Sequence, residues 1–177
     1  MLIKPANSSN LTQPQFERLF NIIRIAYAET EKEVWGEGYV RVSRENLKQH
    51  IKDDEILVAF LDDEIVGVIR VYEKEPGTWT FGLLGADFEH KGKGIGRALI
   101  AAAEEKAKSA GATEMSIEIL RAKDIDTNFK VHLAKWYQRL GYEYTGKIDV
   151  MSVYPNPEKW ARLVNDSEFD CYVKRLE

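Results

Sequence analysis

Residues 91–97, Lys91-Gly92-Lys93-Gly94-Ile95-Gly96-Arg97, concentrate the chemistry in this sequence. Glycines at three alternate positions leave the backbone without Cβ atoms and able to enter φ > 0. In such a turn successive N–H groups can converge on an anion. Residues 95–110 then have the pattern of a helix, whose first N–H groups and dipole favour negative charge at its N-terminus. Lys91, Lys93 and Arg97 add formal positive charge. These residues suit the grip of a phosphate or pyrophosphate. The plainer alternative is a glycine-rich strand–helix turn with solvated lysines.

Spacing excludes two common nucleotide loops. No G-x-x-x-x-G-K-[ST] string exists. G-x-G-x-x-G/A fails from Gly92, where the last position is Arg97, and from Gly94, where it is Leu99. A net charge of −4, with basic residues scattered outside the glycine turn, gives no reason to expect nucleic acid. At 177 residues, 44% hydrophobic and 31% charged, the chain suits one globular domain over 1–177. Its single cysteine, Cys171, allows no internal disulfide and fits a reducing compartment. No apolar run nears the roughly 18 residues of a membrane span, and residues 1–5 lack a signal-peptide core. A cytoplasmic protein with no membrane partner is expected. His50, His90 and His132 are dispersed without metal-ligand spacing, so no metal is expected.

The elements that must position the glycine turn follow from periodicity. Residues 2–6 suit a short strand. Thr12, Pro14 and Gln15 make a helix start, and residues 14–27 carry Phe16, Leu19, Phe20, Ile23 and Tyr27 on one stripe. Residues 29–42 lack a clear period but hold Trp35 and Tyr39 around a flexible Gly-Glu-Gly turn. Ser43 can cap a short helix running to residue 52. Runs 55–61 and 65–72 read as a hairpin, the first covered on both faces. A second turn spans 73–77, and 79–86 is the strand that enters the glycine turn. The helix after it shows Ile95, Leu99, Ala102, Ala103 and Ala107 on its packing side, leaves Glu104 and Glu105 solvated, and stops at Gly111. Residues 114–120 alternate as a strand, making a βαβ unit with a parallel, right-handed crossover. Residues 131–140 read as a helix ended by Gly141, 142–150 as a strand, 154–157 as a loop, 158–164 as one or two helical turns, and 169–176 as the last strand.

Residues 81–100, from Phe81 through the glycine turn to Ile100, resemble the acetyl-CoA motif of the GNAT superfamily of N-acetyltransferases. The core pattern of that motif is [RQ]-x-x-G-x-[GA], opening a helix after a strand. Here Lys91 stands where arginine or glutamine is usual, and contacts made by backbone N–H groups survive that change. Trp136-Tyr137-Gln-Arg-Leu-Gly141-Tyr142 is similar to the family's aromatic-Tyr-x-x-x-Gly-aromatic block, and residues 171–176 look like its last strand. The first 50 residues and 151–167 carry little of this signal. The fold implied is α/β, of the α+β type: a mixed, mostly antiparallel sheet of six to seven strands with helices on both faces.

The resemblance implies transfer of the acetyl group of acetyl-CoA, as co-substrate, directly to a primary amine of a small molecule or peptide. Lys91, Gly92, Lys93, Gly94, Ile95, Gly96 and Arg97 would hold the pyrophosphate. A bulge in the preceding strand would let Leu84 and Ala86 bond the pantetheine arm, with the Ala86 N–H near the thioester oxygen. Gly85 fits such a bulge, or it simply admits a neighbour. Tyr137 is the candidate general acid: a phenol near pKa 10 stays protonated at neutral pH and can donate to a departing thiolate, whose thiol lies near 8.5. It can equally be a packed aromatic like Trp136 and Tyr142. No acid lies on residues 79–81, so Glu118 on the next strand is the nearest candidate base, and it would need its pKa raised by burial. It can also be an ordinary strand residue, with a water relay moving the proton. Trp35, Glu37 and Tyr39 can line the acceptor side, Glu37 attracting a cationic amine, or form an aromatic loop packed on the core. Cys171 reads as a core residue. A non-catalytic acyl-CoA-binding module is the alternative function. A homodimer is compatible with the sequence, which does not set the oligomeric state.

Overall fold

The computed structural model describes residues 1–7, 9 and 11–177. In chain order the elements are β1 (Leu2–Pro5), α1 (Gln13–Thr30), α2 (Lys32–Trp35), α3 (Arg44–Lys52), β2 (Ile56–Leu61), β3 (Glu64–Glu75) and β4 (Thr78–Ala86). Then follow α4 (Ile95–Ser109), β5 (Glu114–Ala122), α5 (Asn128–Arg139), β6 (Glu143–Asp149), α6 (Val150–Val153), α7 (Pro157–Trp160) and β7 (Ser167–Arg175). The fold is the expected α/β class, a mostly antiparallel mixed sheet of seven strands with helices. Backbone contacts divide the chain into two compact units. One holds Met1–Tyr27, Val40–Met115 and Leu176–Glu177; the other holds Ala28–Tyr39 and Ser116–Arg175.

In the first unit the strand order is β1-β2-β3-β4, every pair antiparallel. The β2–β3 hairpin turns on Asp62 and Asp63, whose φ values of 48° and 65° are the paired left-handed conformations of a two-residue turn with matching twist. Helix α1 starts on a reciprocal cap. The Gln15 N–H donates to Thr12 Oγ1 at 3.3 Å, and the Thr12 N–H donates to Gln15 Oε1 at 3.0 Å. Its stripe of Phe16, Leu19, Phe20, Ile22 and Ile23 packs on Ile56, Val58, Phe60, Val68 and Leu83, together with Leu47 and Ile51 of α3. Ser43 caps α3, its side chain accepting from the Asn46 N–H. The opposite face takes α4. A Cβ on Gly67 would lie 2.6 Å from Ile95 Cγ2 and 2.9 Å from Leu99 Cδ1, so that glycine lets the helix lie against β3.

Strand β4 is bulged, one or two residues before the position expected. Val68 pairs with Gly85 and Arg70 with Gly82, so Leu83 and Leu84 together oppose Ile69. Leu83 takes φ 48°. A left-handed leucine costs about 1–2 kcal/mol, and burial of its side chain among the α1 residues offsets that. Gly85 is back in register, and its role is the close approach of α1: a Cβ there would meet Ile22 Cγ2 at 3.3 Å and Ala26 Cβ at 3.5 Å.

The second unit orders its strands β5-β7-β6, with β6 antiparallel to β7 and Lys147 opposite Asp170. Its core is Val34, Trp35, Leu120, Val150, Trp160 and Phe169. Several boundaries differ from the pattern reading. β3 runs to Glu75, so the second turn is only Pro76-Gly77, with Gly77 at φ 81°. α5 begins at Asn128 because Thr127 caps it, accepting from the Lys130 N–H. α6 was not anticipated; Asp149 caps it. On α4 the half-buried Ala102 yields its expected core place to Ile100.

Candidate active site

Between β4 and α4 the chain makes a 3-10 turn at Phe88–His90 and then the glycine corner. Gly92 and Gly94 have φ of 83° and 73°. A Cβ on either would meet nothing within 4 Å. Conformation rather than crowding therefore demands glycine here, and the space outside the backbone is open. Gly94 is the N-cap of α4, and no side chain caps it. The first-turn N–H groups of Ile95, Gly96 and Arg97 thus have no intrahelical acceptor. Lys91, Lys93 and Arg97 are exposed. Among the described residues none of the three joins an ion pair. Open amides, a helix dipole and three uncommitted cations at one corner can grip a diphosphate. Leu84 occupies the bulge just upstream, and Ala86 ends β4 opposite Gly67.

The stem of the corner is Asp87. Burial pushes its carboxyl up, but the Glu89 N–H, His90 and Arg18 outweigh that and hold it below the usual aspartate range. This cluster carries no motif, and sequence reading missed it.

The second unit places Tyr137 on α5, 6% exposed. Its ring lies 5.2 Å from that of Trp136 and meets Tyr142 edge-on at 5.8 Å. Lys130 and Tyr137 are the buried residues of α5, seven apart and so on one face. Lys130 Nζ lies 3.9 Å from Glu31 Oε1, with both side chains more than nine-tenths buried. Glu31 Oε2 in turn accepts from Trp35 Nε1 at 3.0 Å. Sequence reading also missed this buried pair; a lysine three residues from a helix cap gives no sign of burial. Glu118 is half-buried on β5.

Trp35 sits inside the small core, 5% exposed, stacked on Tyr39 at 4.3 Å and on Trp160 at 5.7 Å. Glu37 stands out in solvent and pairs with Lys32 at 2.7 Å. That hydrogen bond and charge hold its carboxyl below the ordinary value. Tyr39 is half-buried, with the Arg162 guanidinium 5.6 Å over its ring. The structure thus brings Trp35 and Tyr39 together and turns Glu37 outward. Cys171 is half-buried. Among the described residues no group of histidine, cysteine and acidic side chains could hold a metal, and no helix is long and apolar enough to cross a membrane.

No curated protein matches the sequence. Among solved structures, the chain is similar to N-acetylglutamate synthase from Neisseria gonorrhoeae, complexed with coenzyme A and N-acetyl-glutamate. Identity is 18% and the TM-score 0.69, over 99% of this chain and 35% of that one, so the chain spans about a third of that protein. It is similar to ribosomal-protein-alanine N-acetyltransferase from Brucella melitensis, 18% identical with a TM-score of 0.69 over 99% and 100% of the two chains. An aminoglycoside 6'-N-acetyltransferase complexed with coenzyme A is 17% identical, with a TM-score of 0.70 over 100% and 98%. At such identities these likenesses establish the fold. The acetyltransferase (GNAT) family profile matches residues 16–142, from the first turn of α1 through the glycine corner to Tyr142, and the chain belongs to that family.

Proposed function

We propose that the chain acts as one domain, an N-acetyltransferase that moves the acetyl group of acetyl-CoA directly to a primary amine of a small molecule or peptide. The observation that carries this is the corner at Gly92 and Gly94, left-handed, unshielded and opening an uncapped helix. Its amides, with Lys91, Lys93 and Arg97, bind the diphosphate. The bulge at Leu83 and Leu84 turns main-chain groups of Leu84 and Ala86 toward the pantetheine arm, the Ala86 N–H polarising the thioester oxygen.

In the transfer, the amine nitrogen attacks the thioester carbon and the C–S bond breaks. The Tyr137 phenol gives its proton to the leaving sulfur. The proton of the attacking amine leaves to Glu118 or through water. Tyr39 and Glu37 serve the acceptor side, with Trp35 as the platform under Tyr39. The acceptor is an amine that Glu37 attracts, and no metal takes part. A reducing, cytoplasmic setting suits the lone thiol.

A second reading has one observation behind it. Tyr137 is enclosed by Trp136 and Tyr142, as a purely structural tyrosine would be, which suits an acyl-CoA-binding module. A screen of amine acceptors with detection of released thiol separates the two. Thiol release that depends on an amine supports the enzyme. CoA binding with no release from any amine supports the module.

A further inference from the structure

We propose that Asp87 is the positioning residue of the glycine corner: its carboxylate, held by Arg18 and His90, fixes the corner in diphosphate-binding geometry before the coenzyme arrives. The inference rests on the cradle reading above.

Asp87 is the first residue past β4, and its N–H donates to the Val66 carbonyl at 2.9 Å. Its side chain is 11% exposed. Oδ1 accepts from the Glu89 N–H at 3.1 Å. Oδ2 accepts from Arg18 Nη2 and lies 3.2 Å from His90 Nδ1. Arg18 comes from α1 and also donates from Nε to the Ile65 carbonyl at 3.3 Å and from Nη2 to Glu64 at 3.1 Å. One carboxylate therefore ties together a helix, the start of β3 and the turn at Phe88–His90.

From there two turns in series carry the constraint forward. The Lys91 N–H donates to the Phe88 carbonyl at 3.2 Å, and the Lys93 N–H to the His90 carbonyl at 3.3 Å. A Cβ on Gly92 or Gly94 would meet nothing within 4 Å, so no neighbouring side chain packs on either glycine from that direction. The corner is thus set by its two stems: buried Ile95 packed at Gly67 on one side, and Asp87 on the other. Glycine is the residue with most freedom to lose, so a stem that removes this freedom in advance raises affinity for whatever the amides bind. Arg18 lies between Asp87 and Glu64 and is committed to the stem rather than to a ligand.

The sign of one substitution is diagnostic. Asp87→Asn removes a negative charge near an anion site, so a through-space account expects CoA to bind more tightly. Positioning expects weaker binding. Calorimetry with CoA, together with hydrogen exchange at Glu89, His90, Lys91 and Lys93, the amides that the stem and its turns bond, reads both. The expected result is about tenfold weaker binding and faster exchange for Asp87→Asn, with Asp87→Glu within about threefold of the parent protein. Arg18→Gln, at a partly exposed site, should speed the same exchange and serves by that readout if Asp87→Asn does not fold. Unchanged or tighter binding in Asp87→Asn, unchanged exchange, or an Asp87→Glu as weak as Asp87→Asn overturns the proposal. Absence of CoA binding by the parent protein overturns the cradle reading itself. Binding abolished by Gly94→Glu but untouched by these stem variants overturns only the role of Asp87.

Discussion

Helix α4 has a left-handed glycine near each end, and the pair makes an internally controlled experiment. Gly94, its N-cap, has φ 73°, and Gly111, beyond its C-terminus, has φ 88°. A Cβ on either would find nothing within 4 Å. Alanine at either site therefore carries the same penalty, the about 1–2 kcal/mol of a left-handed L-residue, and no steric one. In a domain of this size each kcal/mol lowers Tm by about 2–4 °C. Gly94→Ala and Gly111→Ala should thus lose similar stability by thermal unfolding. Their affinities for CoA should differ, because the Gly94 Cβ enters the space assigned to the diphosphate. Gly94→Glu adds a carboxylate there. At about 6 Å and an effective dielectric near 20, its repulsion from one phosphate charge is about 3 kcal/mol, a loss of at least 100-fold in Kd. Calorimetry on the three variants decides. Equal CoA affinity in Gly94→Ala, Gly94→Glu and Gly111→Ala would refute the reasoning, as would a Gly111→Ala that loses affinity as steeply as Gly94→Ala.

The other expectations concern the second unit and the pH response. Tyr137→Phe should lower acetyl transfer by at least tenfold with less than twofold change in CoA affinity; equal rates in a thiol-release assay would assign the proton elsewhere. Lys130→Met should destabilise by about 3–5 kcal/mol, since it strands the buried Glu31 carboxylate. The double variant with Glu31→Gln should recover most of that in denaturant unfolding, and failure to recover would mean the pair is not coupled. Burial, and then the Arg70 charge, push the His50 imidazole below its ordinary value, with Glu55 opposing. Folding therefore favours the neutral ring. Its contribution is fully present above about pH 6.5 and is lost as pH falls from there through the lower folded value. Urea unfolding should show stability falling from pH 7.5 to 5.5, and His50→Gln should flatten that slope; an unchanged slope would place its origin in another group.

Local pattern alone determined much of this protein. The Thr12–Gln15 cap, the Ser43 cap, the Asp62-Asp63 turn and the glycine stops at 111 and 141 all act within a few residues, so each could be read from its neighbours. The glycine corner was legible for the same reason: its form needs only left-handed glycines and a helix start in succession. Tertiary structure decided the rest. Whether Gly85 is a bulge or a gap depended on α1, whose Ile22 Cγ2 lies 3.3 Å from where a Cβ would sit, and the extra residue fell instead at Leu83 and Leu84. Whether Trp35 faces solvent depended on Trp160, far along the chain, stacking on it. Lys130 and Asp87 gained their partners Glu31 and Arg18 from other elements, at sequence separations no periodicity reaches. A side chain's conformation is set by its own backbone, but its burial and charge state are set by what folds against it, and only the folded chain contains that second kind of information.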